Sequence, residues 1–370
     1  MTKSATIKLA TTKSAATKTM LVALLALAAV TPGSAQAQDF KGRTITEIVN
    51  YPAGGPTDIE GRIVAQHLPD HIAGHPTVIV KNMGGAAGLI GANALGEAQP
   101  NGETIGFFTM ETATQILGNP AIHTPLSDFV LAAGVQSPLI VYMRRDTPPG
   151  INVPADLMKA KDFKTLTLNG ANSNTLNLTL SLDLLGVTYQ PVPAYVGLKE
   201  VETSILQNTG QMANTSLSGW IGSAEPALGN IVIPIWQLTP RDANGGYPRT
   251  PNVPNLQTFE EFYTSVKGSP PPADDIRYKA MRVMIDPQLA MFRMALLPPK
   301  TPADVVATMR KAFQEMWADK AFLADYGRVM KTEPVLVPGD QGQKLLTEIG
   351  TVPKQIKDFL VDYSNRLTSK

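Results

Sequence analysis

The sequence predicts an α/β protein of two lobes, and three observations carry that expectation. Short runs rich in Val and Ile alternate with amphipathic stretches of helical period along most of the chain. Two changes of texture, one following 137–150 and another at 239–255, interrupt the alternation as crossings between lobes would. The chain has 370 residues, 43% of them hydrophobic and 17% charged, which suits two domains with packed cores.

The first 37 residues have a different character. Lys3, Lys8, Lys13 and Lys18 form a basic segment without an acid, and "MLVALLALAAV" (20–30) is an apolar run. "AQA" (35–37) then supplies small residues at the −3 and −1 positions of a cleavage site. This is the pattern of a secretory signal peptide cleaved near Ala37, and the run is short for a membrane anchor. Loss of those four lysines would leave 28 of the 32 basic residues against 31 acids, a charge of about −3. Such a surface has no footprint for nucleic acid. No later apolar run of membrane-spanning length occurs, so the mature protein is expected to be soluble and exported; the expected state is a monomer. The absence of Cys excludes disulfides, thiolate metal sites, a Cys nucleophile and a lipidated Cys.

The mature part opens with "TITEIVNY" (44–51), a strand, followed by Ile59, Ile63, Val64 and Leu68 in a helical stripe. "TVIVKN" (77–82) is a second strand, 89–98 a helix and "TIGFFTM" (104–110) a third strand, an order that predicts a parallel sheet. A strand at 139–143 ends in Thr-Pro-Pro-Gly. "KTLTLNGANSN" opens a second unit with a strand and a polar turn, "TLNLTLSLDLLG" is a helix closed by Gly186, and "VTYQPVPAY" is a strand. The unit ends after "NIVIPIWQL" (230–238). Val305, Val306, Met309, Phe313, Met316 and Trp317 mark the buried face of a late helix. The expected division is 38–141 with 251–370 in one lobe and 142–250 in the other, with the ligand at the carboxyl ends of the strands between them.

Two loops carry the chemistry. "NYPAGGPTDIEGR" (50–62) is a glycine-rich turn into a helix, where backbone amides and the helix dipole favour an anion. Thr57 can cap that helix or donate its hydroxyl, while Asp58 would repel an anion above it and is expected to brace the loop. Alone, the turn reads equally well as a tight connection with no ligand. "NMGGAAGLIGA" (82–92) is a second such turn, one βα unit later, so both helix starts open at one sheet edge. Two amide nests there suit a carboxylate. A nucleotide is disfavoured: the spacing is G-G-x-x-G-x-x-G after the second strand, and no G-x-x-x-x-G-K-[ST] occurs.

"YPAGGPTDIEGR", "VIVKNMGGAAGLIGANAL" and "PNGETIGFF", in that order, resemble the successive signatures of Bug-type extracytoplasmic solute receptors, the substrate-binding proteins of tripartite tricarboxylate transporters. The likeness continues through "VPAYVGLKEVETSILQNTGQ" (192–211), "RTPNVPNLQTFEE" (249–261) and "LLPPKTPADVVATMRKAF" (296–313). It implies a type II periplasmic binding protein fold with a hinge, a small organic acid as ligand, and large and small integral membrane subunits as partners. It also implies that Ala53, Gly54, Gly55, Pro56, Thr57 and Asp58 form one jaw of a pincer, with Gly85, Ala86, Gly88 and Gly91 as the other. Asn172, Ser173, Asn174 and Thr175 would face them from the second lobe, with Ser216, Ser218 and Trp220 as further candidates. No cofactor, metal or catalytic residue is implied.

The chain departs from the pattern in three places. "VKNMGGA" stands where relatives carry "VENRPGA". Glu111 follows a strand whose end points into the cleft, so it is expected either to face solvent or to meet an amine, hydroxyl or amide of the solute. The segment 262–291 is long and reads as an extra loop or lid. His67, His71 and His75 recur every four residues, but Pro69, Gly74 and Pro76 break the helix a metal site would need, leaving solvated histidines. Two other functions compete. An exported α/β hydrolase lacks the G-x-S-x-G elbow, although a triad of distant residues stays open. A receptor feeding a sensor kinase would have the same pocket, and transport is the default reading.

Overall fold

Eleven strands arrange the described residues, which in this computed structural model are Met1, 38–349 and 351–368. The signal-peptide segment lies outside them. The strands are β1 (Thr44–Val49), β2 (Thr77–Asn82), β3 (Thr104–Thr109), β4 (Val130–Gln136), β5 (Leu139–Arg144), β6 (Lys164–Thr167), β7 (Gln190–Pro193), β8 (Met212–Ser216), β9 (Val232–Leu238), β10 (Arg293–Leu297) and β11 (Val335–Pro338). Six form one sheet in the order β11-β4-β10-β3-β1-β2, and five form another in the order β7-β6-β8-β5-β9. β1 pairs in parallel with β2 and β3, and β10 inserts antiparallel between β3 and β4. The chain leaves the first sheet at Ser137-Pro138, so β5 lies wholly in the second and the division expected at 141/142 falls inside a strand. It returns to the first sheet with β10.

Each lobe is a layered α/β unit because its helices present apolar stripes to a sheet. Ile63, Val64 and Leu68, from the helix Pro56–His67 and the turn after it, join Val305, Met309, Phe313 and Met316 of the helix Ala303–Ala318 in one core. His67 belongs to this layer rather than to solvent. It is 8% exposed, lies edge-on to Phe322, and its Nε2 is 2.9 Å from Asp325 Oδ2. His75 and His123 are exposed, and among the described residues no group of His, Asp and Glu is disposed to hold a metal.

The helix Ser173–Leu185 is covered on all sides, with twelve of its thirteen residues buried. Its sequence alternates Leu with Asn, Thr and Ser, and two of the polar side chains bond back to carbonyls of the preceding turn. Thr179 Oγ1 donates to the Thr175 carbonyl at 2.9 Å, and Ser181 Oγ to the Asn177 carbonyl at 2.8 Å. What covers one side is the segment expected to be a loop or lid. It is instead largely helical, as Phe259–Lys267 and Ile276–Ala290. Ala280, Met281, Met284, Ile285 and Leu289 recur at helical spacing and are fully buried in the core shared with Ser173–Leu185, which explains why the stretch cannot be a mobile flap. The C-terminal helix Lys354–Thr368 adds a clasp: Tyr363 Oη donates to Asp183 Oδ2 at 2.6 Å and Ser364 Oγ to the Gly170 carbonyl at 3.1 Å.

Glu47 on β1 is out of keeping with this core. It is fully buried, and neither carboxylate oxygen has a hydrogen-bond partner. Burial pushes its pKa well up, against a smaller opposing pull from Arg62. A raised carboxyl contributes most below the unfolded-state value and loses that contribution as pH rises toward its folded-state value. Glu47→Met, which keeps the length and removes the charge, should therefore raise unfolding free energy by about 1–3 kcal/mol at pH 7 and by less at pH 4.5. Urea unfolding at the two pH values checks this; a variant less stable at pH 7 contradicts it.

Candidate functional site

The carboxyl ends of β1 and β3 open on a cavity of about 260 Å³ between the two lobes. Its first-lobe wall is built from Tyr51, Ala53, Gly55, Pro56, Thr57 and Thr109, with Phe292 and Arg293 from the start of β10. Leu168, Asn174 and residues 197–200 close it from the second lobe. An adjoining cavity of about 220 Å³ shares Tyr51 and Leu168 and is lined by residues 85–88 and 193–196. The two glycine-rich loops thus serve neighbouring chambers. A larger cavity of about 470 Å³, along the crossing segments 136–138 and 239–243, has no glycine in its wall.

In the first loop, Gly54 takes the left-handed conformation (φ +82°), and the helix begins after Gly55 with no side chain capping its first amides. Asp58 holds the turn from beneath. Its Oδ2 accepts from the Gly54 amide at 2.8 Å and from Arg62 Nε at 3.0 Å, and its Oδ1 accepts from Asn82 Nδ2 at 2.8 Å. Burial raises the Asp58 pKa, but hydrogen bonds from Arg62, Gly54 and Asn82 outweigh it and hold the carboxyl below its ordinary range. Asp58 does not line the cavity; it ties the loop to the end of β2.

Thr57 does not cap its helix. Its Oγ1 lies 2.8 Å from Thr109 Oγ1, which also accepts from Arg293 Nη1 at 3.0 Å. Two hydroxyl protons and one bond between them leave one O–H for a ligand oxygen. Arg293 Nε donates to Glu60 Oε2 at 2.9 Å, and Tyr326 Oη donates to Glu60 Oε1 at 2.6 Å. Arg293 and Glu60 are each 2% exposed, so the floor of the cavity is a fully desolvated, paired guanidinium. Antiparallel pairing places Arg293 opposite Thr109. Sequence reasoning missed Arg293; the available signal was a single Arg inside the apolar run "MFRMALL" (291–297).

The second loop is more strained. Gly85, Ala86, Ala87 and Gly88 all have positive φ (118°, 48°, 55° and 85°), which two alanines adopt at a cost. Gly88 and Gly91 are packing positions. A Cβ on Gly88 would lie 2.5 Å from Asn50 Nδ2, and one on Gly91 3.1 Å from Asn50 Cα. Asn50 in turn accepts from the Thr109 amide at 3.0 Å and donates to the Thr109 carbonyl at 3.2 Å, joining the ends of β1 and β3. Gly85, Ala86 and Gly88 line the adjoining cavity, whereas Gly91 lines neither chamber.

Glu111 does not meet either expectation for it. It is 6% exposed and lines neither chamber. Its Oε1 accepts from Tyr51 Oη at 2.5 Å and from Asn172 Nδ2 at 2.8 Å, and its Oε2 accepts from the Ser173 amide at 3.3 Å. Ser173 Oγ accepts in return from the Ala113 amide at 2.9 Å. A carboxylate of the first lobe therefore sits at the start of the second lobe's helix. The other facing candidates are turned to structural partners. Asn172 Oδ1 accepts from the Asn174 amide at 2.9 Å, and Thr175 Oγ1 donates to the Leu168 carbonyl at 3.1 Å. Ser216 Oγ accepts from the Gly219 amide at 3.1 Å, Ser218 borders the larger cavity, and Trp220 packs on Tyr142 at 5.2 Å between ring centres, 2% exposed. Of these seven residues, Asn174 alone lines the 260 Å³ chamber.

Burial pushes the Glu111 pKa up to about 7, although hydrogen bonds from Tyr51, Ser173 and Asn172 favour the charged form. The folded state then holds a proton that the unfolded chain has lost, and stability declines as pH rises from about 4.5 to about 7. The group's full effect is about 3 kcal/mol. In Glu111→Gln this part of the slope should vanish, measured by urea unfolding at half-unit pH steps; an unchanged slope contradicts the assignment.

No protein-family model matches the chain. A UPF0065 protein of Agrobacterium vitis is 29% identical over 191 residues, which cover 50% of this chain and 54% of the relative. Protein BugT of Bordetella pertussis is 37% identical over 90 residues, 24% of this chain and 27% of the relative. The matches thus span about half or less of these curated relatives. Among solved structures, the periplasmic binding protein BugD shares 20% identity over 89% of this chain and 98% of its own, with a TM-score of 0.61. MatC of Rhodopseudomonas palustris with bound malate shares 18% over 88% and 100%, at a TM-score of 0.62. A further R. palustris protein with adipate shares 16% over 88% and 99%, at a TM-score of 0.64. By sequence, part of the chain is similar to BugT and to UPF0065 proteins, and its fold is that of the periplasmic binding protein BugD.

Proposed function

We propose that this protein captures a small organic acid between its lobes in the periplasm and delivers it to the large and small membrane subunits of a tripartite tricarboxylate-type transporter. The observation that carries the reading is the Thr57–Thr109–Arg293 array on the floor of a cleft between the lobes. It offers an uncommitted hydroxyl proton, uncapped helix amides and a guanidinium to an anion, and no Ser, His or Cys stands in the cavity wall to attack what is held. The malate and adipate held by neighbours of the same fold agree in kind.

Mechanism then needs differential contact rather than chemistry. A solute touching Thr57 on one lobe and Asn174 on the other favours the closed arrangement of a two-state hinge, and closure presents both lobe tips to the membrane partner. The lobes proposed are 38–136 with 251–370, and 139–250, the first boundary lying at the Ser137-Pro138 crossing rather than at 141/142, after cleavage near Ala37.

A thermal-shift screen of the purified protein against mono-, di- and tricarboxylates and aromatic acids tests the reading. One class should stabilise strongly, by about 2.7 kcal/mol at a hundred times its Kd, and should be recovered unaltered. If no acid shifts the melting curve while an ester or amide is turned over, the receptor reading fails. Thr57→Val, which keeps the shape and removes the hydroxyl, should weaken binding by about 1.5–3 kcal/mol, roughly 10- to 150-fold in Kd by calorimetry, with little change in the Tm of the free protein.

A further inference from the structure

We infer that the solute is a monocarboxylate with an uncharged body rather than a dicarboxylate, because the second lobe's anion position is already filled by the protein's own Glu111. The inference rests on the receptor reading above and names its substrate class. In a two-lobed cleft a diacid needs a positive site on each lobe. The second lobe's candidate is the start of Ser173–Leu185, where free amides and the helix dipole favour negative charge. Here the Ser173 amide and the Asn172 side chain bind the Glu111 carboxylate, and Asn172 caps the next amide. A second carboxylate brought to that helix start would meet a buried carboxylate.

The charges around the chamber give the same answer. Two cations line it, Arg293 and Lys199. Each is already paired, Arg293 with Glu60 at 2.9 Å and Lys199 Nζ with Glu202 Oε2 at 3.0 Å. Glu200 also lines the wall, and Glu111 lies behind Tyr51. The site has no surplus positive charge for a dianion, while one carboxylate finds the spare hydroxyl proton of the Thr57–Thr109 pair, the uncapped amides of the first loop and the Arg293 guanidinium. The remaining wall is largely apolar, with Pro52, Pro56, Leu168, Leu198 and Phe292, and suits an aliphatic or aromatic body.

Matched acids of equal length separate this inference from the reading beneath it. Binding of butyrate and succinate, hexanoate and adipate, and 4-methylbenzoate and terephthalate is measured by calorimetry at pH 8, where the ligand carboxylates and most of Glu111 are ionised. The monoacid should bind at least tenfold more tightly than its diacid in every pair that binds. In Glu111→Gln that gap should narrow by about tenfold, through tighter diacid binding. A diacid that binds the unaltered protein as tightly as its monoacid overturns the inference and leaves the receptor reading standing. So does a gap that Glu111→Gln leaves unchanged. If no acid of either kind binds, the receptor reading fails, and the inference fails with it.

Discussion

One buried carboxylate joins the strand ends of the first lobe to the helix that walls the cleft from the second, beside the apolar core and the Tyr363–Asp183 clasp that the lobes also share. Glu111 leaves the end of β3, passes beneath Tyr51 and ends at the first turn of the helix Ser173–Leu185, so that a strand end of one sheet is joined to a helix start packed on the other. Removed from water, that carboxylate requires all three of its donors, and each comes from an element that shapes the cleft. Tyr51 stands between the two chambers, and Asn172 and Ser173 begin the helix that carries Asn174 into the chamber wall. The helix itself is buried along its length and held by bonds from Asn214, Tyr189 and Tyr363, so it has no freedom to offer a different face.

A second network lies under the first-lobe wall of the cavity. Tyr326, Glu60, Arg293, Thr109 and Thr57 form a continuous chain of hydrogen bonds from the core to the cavity surface. Its single uncommitted proton lies at the cavity end. Asn50 fixes the backbone of Thr109, and Asp58 fixes that of Gly54, so the groups facing the cavity are positioned by bonds within the protein. Such preorganisation lowers the ordering cost that the proposed binding of an anion would carry.

Most of the architecture was legible in the sequence because it depends on local patterns. The βαβαβ order, the two glycine-rich turns and the bracing position of Asp58 follow from periodicity and helix-start chemistry. What was not legible depends on distant partners. Glu111 reads as a cleft-facing charge until the fold brings Asn172 and Ser173 to it, and Gly91 reads as a ligand contact until Asn50 is found against it. Arg293 was hidden inside an apolar strand, and its role exists only in register with Thr109. The segment 262–291 reads as a lid because its proline- and acid-rich turn precedes a helix whose burial is supplied by Ser173–Leu185.

The central claim is that one carboxylate is held on the Thr57–Thr109–Arg293 floor while Glu111 stays on the second lobe. A crystal structure with the acid that stabilises the protein most tests it directly. The intact acid should lie in the 260 Å³ chamber, with one carboxylate within hydrogen-bond distance of Thr57 or Thr109 and of Arg293, and Glu111 still bound to Asn172 and Ser173. An acid seated in either of the other cavities, or one that displaces Glu111 from the helix start, would contradict it.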